Sequence, residues 1–337
     1  MRHDHARPPI ATAALVPPRA RAAVLAGCLA ACLLAPHAAA QRPSIPPQAI
    51  AGPALEVVAI AEEQALDLPA GLDLGQVASV ALDTRGHLLV LHRGEQALLE
   101  LDAAGRFVRA FGGLFTRAHS LTIDADGNLW IADVAAHTVT KLDTDGRVLM
   151  TLGTPGEAGQ WDETAGERRF HEPTDVALGP GGTIFVTQGH TRGDPKVLKL
   201  DARGRLLASW GGRGTHPWQL AVAHSIAIDD AGLVYVADRE NRRVLVFDLD
   251  GGFVKGWVYQ GMACSLHFAK DGSIYMTTGF DGQIVKLDRD GRVLGVTGRP
   301  GEGPNEYGEA HDVAVTGAGE IFVADVVNRR VQKLVPR

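Results

Sequence analysis

The chain is short of cysteine, of aromatic side chains and of excess positive charge, and each shortage removes a class of answer. Only 3 of its 337 residues are cysteine, and two of them, Cys28 and Cys32, fall in an N-terminal apolar stretch. Cys264 stands alone in the remainder, so no internal disulfide can brace that part and packing has to hold it, even in an oxidising compartment. A net charge of -6 offers no basic footprint for nucleic acid, which is not expected as a partner. Beyond the N-terminus no apolar run is long enough to span a bilayer. What the chain has is glycine, 40 residues of it against 6 % aromatics, the composition of a turn-rich all-β protein.

The N-terminus reads separately. Arg2, Arg7, Arg19 and Arg21 precede "AAVLAGCLAACLLA" (Ala22 to Ala35), followed by Pro36 and "AAAQ". A basic region, a short apolar core and small residues before Gln41 predict a secretory signal over residues 1–40, cleaved after Ala40. "LAGC" and "LAAC" each resemble a lipobox, so a lipid anchor and an uncleaved anchor stand as alternatives. The expected location is periplasmic or extracellular, with membrane contact only through such an anchor. Residues 41–54 read as a Pro-rich linker.

From Leu55 onward a pattern of small-x-x-apolar-x-apolar, then Gly-x-apolar-x-Val, recurs six times. The copies start near Val77, Ala118, Pro173, Ala223, Ala263 and Ala310, and each runs into a second apolar stretch with an Asp-x-x-Gly-like turn, as in "VTKLDTDGRVLMTLG". Four short strands in each 40 to 50 residues is the signature of propeller blades. The sixth copy stops after three strands, and "LEVVAI" (Leu55 to Ile60) can supply the fourth, closing the ring and removing its free edges. A stacked solenoid, the rival, leaves that spare strand unexplained. The predicted fold is therefore a six-bladed β-propeller over residues 55–337, and a monomer is expected.

The second residue of each inner strand forms a column around the ring: Ala78, His119, Thr174, His224, Cys264 and His311. Histidine fills blades two, four and six, about 120° apart. Three imidazoles converging from separate strands suit a zinc ion with a fourth position left open; nothing points to redox chemistry, which puts zinc ahead of copper or iron. Taken singly, each histidine reads as a polar residue bonded to a nearby loop. The alternation is what favours a metal. The "DADG", "DTDG", "DLDG" and "DRDG" segments lack the later acidic residue of a calcium-binding EF-hand loop and read as hairpin turns.

"VADRENRRVLVFD" and "VADVVNRRVQKL" resemble NHL repeats. Longer stretches, "GQVASVALD" with "LHRGE", "AHSLTIDADGNLWIADVAAHTVTKLD", "FHEPTDVAL", "AHSIAI" with "VADREN", and "AHDVAV", resemble in order the peptidyl-α-hydroxyglycine α-amidating lyases, in every blade but the fifth. That resemblance implies a zinc held by His119, His224 and His311, a catalytic arginine at Arg93, and a calcium held by Asp312 with the carbonyls of Val80 and Leu121. It also implies the reaction: cleavage of the C–N bond of a peptide or small N-acyl substrate ending in α-hydroxyglycine, giving an amide and glyoxylate.

Two departures stand at the expected site. His190 of "TQGHTRGD" occupies the place of a tyrosine proposed as catalytic base in the family, and Glu309 replaces a methionine. His190 is chemically usable as a base, and is equally readable as a loop residue or a substrate contact; Tyr259 and Tyr307 are other candidate bases, without a motif. Glu309 and Cys264 are expected to line the substrate pocket, Cys264 also reading as a buried small residue. Two further functions stay open: a propeller metalloenzyme of different specificity, and a noncatalytic NHL propeller that binds a peptide or protein partner.

Overall fold

The structure, a computed structural model, describes residues 47–61 and 65–337. The segment predicted as a signal lies outside the described residues. Six four-stranded antiparallel sheets are arranged as blades. Their inner strands are Val77–Leu82, Ala118–Ile123, Pro173–Leu178, Ala223–Ile228, Leu266–Phe268 and Ala310–Val315. Blade six is completed by Val57–Ile60, which pairs antiparallel with Arg330–Pro336, Val57 opposite Pro336 and Ile60 opposite Lys333. Ring closure by the N-terminal strand is as expected.

Apolar side chains alternate along each strand, and each sheet buries both faces against neighbouring blades. The result is six apolar clusters, one per blade interface. Leu89, Leu91, Leu121 and Ile131 fill the space between blades one and two, for example, and Tyr275, Ile284, Val313 and Val323 that between blades five and six. The hairpin turns behave as predicted: Asp124 Oδ1 accepts from the amides of Asp126 and Asn128, and Gly127 takes φ 84°.

Residues 47–54, the described part of the Pro-rich stretch, run along the ring. Gln48 exchanges backbone hydrogen bonds with Val258 and Gln260, its side-chain amide donates to the Gly291 carbonyl, and Pro53 accepts from Val296. Ile50 packs onto the apolar cluster between blades four and five. The prolines here set an extended path whose unpaired backbone groups find partners on the ring's outer edge.

Two features of the repeat shape one end of the channel. The first is a β-bulge in the inner strand of five blades, between Val77 and Ser79, Ala118 and Ser120, Pro173 and Asp175, Ala223 and Ser225, and Ala310 and Asp312. The bulged residue in each is the column residue, which leaves the ladder and is re-aimed toward the axis. The second is the side chain ending the second strand. Asp133, Asp238 and Asp325, in the three histidine blades, are fully or almost fully buried and accept from amides of the loop leading into the same blade. Asp238 takes hydrogen bonds from Ala221 N, Val222 N, Asn241 Nδ2 and Arg243 Nε. Removing one partner of such a buried pair strands the other charge. Asp238→Ala is expected to lower stability by about 3–5 kcal/mol, read as a fall in the urea midpoint.

Candidate metal centre and substrate pocket

His119, His224 and His311 meet on the axis, with ring centroids 4.7, 4.7 and 4.9 Å apart. Each Nδ1 bonds the carbonyl of the column residue in the next blade: His119 to Thr174 at 2.8 Å, His224 to Cys264 at 2.9 Å and His311 to Ala78 at 2.7 Å. A carbonyl can only accept, so Nδ1 carries the proton and the lone pair is left on Nε2. Nε2 of His119 and of His224 is buried and has no hydrogen-bond partner. Orphaned buried acceptors are rare without a reason. Burial holds all three imidazoles neutral, His311 down to about 3 and the other two well below their ordinary value. Neutral, oriented imidazoles with orphaned Nε2 atoms fit a borderline divalent cation such as zinc.

The column thus works as a ring of six in which alternate members have different duties. Histidines point nitrogen at the axis, and Ala78, Thr174 and Cys264 supply the carbonyls that fix them. Cys264 is corrected by this: it is fully buried, its Sγ lies 3.6 Å from His224 Nδ1, and so it sits behind the imidazole rather than on a pocket wall. Burial pushes its thiol up to about 12, which favours the neutral form, and its Sγ lies within 4.8 Å of ring nitrogens of His224 and His311.

Arg93 and Arg239 follow their column residues by the same fifteen positions, in blades one and four. Two blades lie between them on either side of the ring, so they flank the axis from opposite sides. Their amides donate to the carbonyls of Gln76 and Val222, and Arg93 is steadied through Nε by the Ala118 carbonyl and through Nη1 by Gln76 Oε1. Burial, with Arg117 adding to it, draws Arg93 down to about 10, which leaves it protonated at neutral pH. Arg117, Glu172 and Glu309 stand two residues before the column in blades two, three and six and form the rim. Glu309 is buried and its carboxyl is pushed up by that burial, against the pull of Arg239 and Arg93. Arg239 and Arg117 were not singled out from sequence, although Arg239 lies inside "VADREN" at the repeat position of Arg93.

His190 reaches the same centre, its ring 4.8 Å from His119 and 5.5 Å from His224. Burial, then Arg239 and Arg117, bring it down to about 4. The other candidate bases are elsewhere: Tyr259 and Tyr307 are buried in the blades, their hydroxyls turned to Gly291 O and Asn305 Oδ1, and burial raises both. Asp83, His87 and Glu100 also cluster, but Arg85 and Arg109 already pair with Glu100.

Toward the far end the channel opens into a cavity of about 570 Å³. The residues just past the column are Ser79, Ser120, Asp175, Ser225, Ser265 and Asp312. Asp312 accepts from Ser79 Oγ at 2.5 Å and from Val80 N at 3.1 Å, and Leu121 N donates to Ser79 Oγ. In an extended strand a residue's N–H and C=O share an edge, so the Val80 and Leu121 carbonyls face the channel beside Asp312. Burial, with Asp175 adding to it, raises Asp312 to about 6.

A six-bladed propeller closed by its first strand, with three oriented imidazoles on its axis and arginines at its mouth, defines the class: an NHL-type propeller with a trihistidine cluster at its centre. The NHL repeat family model matches residues 220–247. A protein of Caenorhabditis elegans named as a probable peptidyl-α-hydroxyglycine α-amidating lyase is 32 % identical over 206 residues, covering 52 % of this chain and 56 % of the relative. Peptidyl-glycine α-amidating monooxygenase A of Xenopus laevis is 28 % identical, covering 81 % of this chain and 33 % of its own length. NHL repeat-containing protein 3 of Homo sapiens is 27 % identical, covering 78 % and 80 %. This chain thus spans about half or less of the two amidating relatives. Among solved structures, virginiamycin B lyase from Staphylococcus aureus superposes with a TM-score of 0.58 at 11 % identity, covering 83 % of this chain and 99 % of that one, which establishes the shared propeller fold. The chain is thus similar in sequence to NHL-repeat proteins and to the peptidyl-α-hydroxyglycine α-amidating lyases, and shares the propeller fold.

Proposed function

We propose that the chain is a carbon–nitrogen lyase acting on a peptidyl or N-acyl α-hydroxyglycine, releasing an amide and glyoxylate. The observation that carries this reading is the placing of Arg93 and Arg239 on opposite sides of three imidazoles whose Nε2 atoms face the axis. A zinc ion held by His119, His224 and His311 would supply Lewis acidity to the substrate hydroxyl. Arg93 and Arg239 bind the substrate's terminal carboxylate through charge-assisted hydrogen bonds. His190 accepts the hydroxyl proton; the C–N bond then breaks with its electron pair going to nitrogen, which takes up a proton as the aldehyde of glyoxylate forms. The test is glyoxylate release from α-hydroxyhippurate by the zinc-loaded full chain. Stoichiometric zinc without glyoxylate would sink the lyase reading.

A second reading, a metalloenzyme of other specificity, is favoured by Glu309. Its carboxyl is buried within the field of Arg93 and Arg239 and competes with a substrate carboxylate for both. Turnover of other acyl or peptidyl substrates by zinc-loaded protein that leaves α-hydroxyhippurate intact would select this reading; binding of a peptide without turnover would select the noncatalytic propeller.

Asp312 with the Val80 and Leu121 carbonyls forms the hard-oxygen set a calcium ion takes. Asp312→Asn is expected to abolish a calcium-dependent rise in Tm of several degrees while leaving zinc content unchanged. Export, as the N-terminal pattern implies, would place both ions within reach of the extracellular pool.

A further inference from the structure

The loop between the second and third strands of blade three is built to hold one side chain inward. Gly189 adopts φ 91°, and a Cβ there would stand 2.7 Å from Pro195 Cα, so only glycine allows the chain to turn this tightly before His190. Outside the turn, the Glu172 carboxylate accepts from Thr191 N at 2.6 Å, Arg192 N at 2.8 Å and Thr191 Oγ1 at 3.0 Å. Glu172 in turn has its own amide bonded to His137 Nδ1. The tip is pinned on both sides.

What this clamp presents is an imidazole whose nitrogens hold no hydrogen bond among the described residues. Ring nitrogens of His119, His190 and His224 all lie within 4.8 Å of one another. Four nitrogens around a zinc at about 2.0–2.1 Å are separated by about 3.4 Å, so a side-chain rotation of the order of 1 Å completes the set. A loop imidazole kept for solubility or turn formation needs neither the clamp nor this approach.

We propose that His190 is the fourth imidazole ligand of the axial metal site in the substrate-free protein. The site is then a four-nitrogen cage, and substrate has to compete with His190 for the position. The inference rests on the trihistidine reading and deepens it, because the nitrogen expelled is the one placed to accept the substrate's hydroxyl proton.

The test uses the full chain, stripped with a chelator and titrated with Co²⁺, alongside His190→Ala and His190→Phe. The parent is expected to show the intense visible bands of a four-coordinate site, and both variants the weaker spectrum of a hydrated one, with Zn²⁺ affinity lower by about 10–100-fold. His190 lies in a surface loop, and unchanged circular dichroism would certify the fold of each variant. Identical cobalt spectra and zinc affinities in parent and variants would overturn this proposal alone. A parent that binds no cobalt would overturn it together with the trihistidine reading, and glyoxylate assays on the same samples report the lyase reading separately.

Discussion

His224→Ala is expected to leave purified protein with almost no zinc, against an expected one equivalent per chain in the parent, and to cut glyoxylate release by at least about 10³-fold, a loss of roughly 4 kcal/mol. The argument starts from the backbone. The bulge at Ala223 to Ser225 turns His224 out of the ladder, the Cys264 carbonyl fixes its tautomer, and Nε2 is left without a hydrogen-bond partner. Alanine keeps the strand and the bulge but removes one of three converging lone pairs. His119→Ala and His311→Ala should behave alike, because the three positions are equivalent around the ring. Ala78→Ser, at a column position that offers only its carbonyl, should retain zinc. Metal analysis by emission spectroscopy decides the matter, and equal zinc in all four variants would end the case for the ring.

The second large effect is expected from Arg239. Arg239→Gln should lower kcat/KM for α-hydroxyhippurate by about 10²–10³-fold without changing zinc content. Its guanidinium is largely buried beside Glu240, and it bears on His224, His190 and Glu309 at once. Arg93→Gln should cost a similar factor, and the double variant less than the product of the two, since both hold one carboxylate. A kcat/KM within threefold of the parent in Arg239→Gln would remove it from the site.

The blades were legible because a period of four strands, marked by turns, survives heavy substitution at individual positions. So was the histidine column, for a physical reason: inner-strand residues at one repeat position must share a height along the axis. Arg239 was legible by the same logic, fifteen residues past His224 as Arg93 is past Ala78, yet a lone arginine among "VADREN" and its neighbouring arginines carries no mark of its own. Cys264 misled because its column position implies the axis, whereas the residue's contribution is a carbonyl. What residues 47–54 lie against was not legible, because prolines in sequence show extended backbone without showing its partners. Of the rim only Glu309 was legible, as a departure from the family pattern, since Arg117 and Glu172 acquire meaning only when blades two, three and six stand around one opening.

The closure of blade six has a temporal side. Its outermost strand is made early in synthesis and its inner three last, so the sheet cannot be finished on a chain still being made. At that stage His119 and His224 exist, but His311 does not yet face them. A cation captured then has two nitrogens instead of three, and the weaker hold lets it go. With zinc bound as proposed, its retention would report not merely on the presence of the histidines but on whether the circle has been joined.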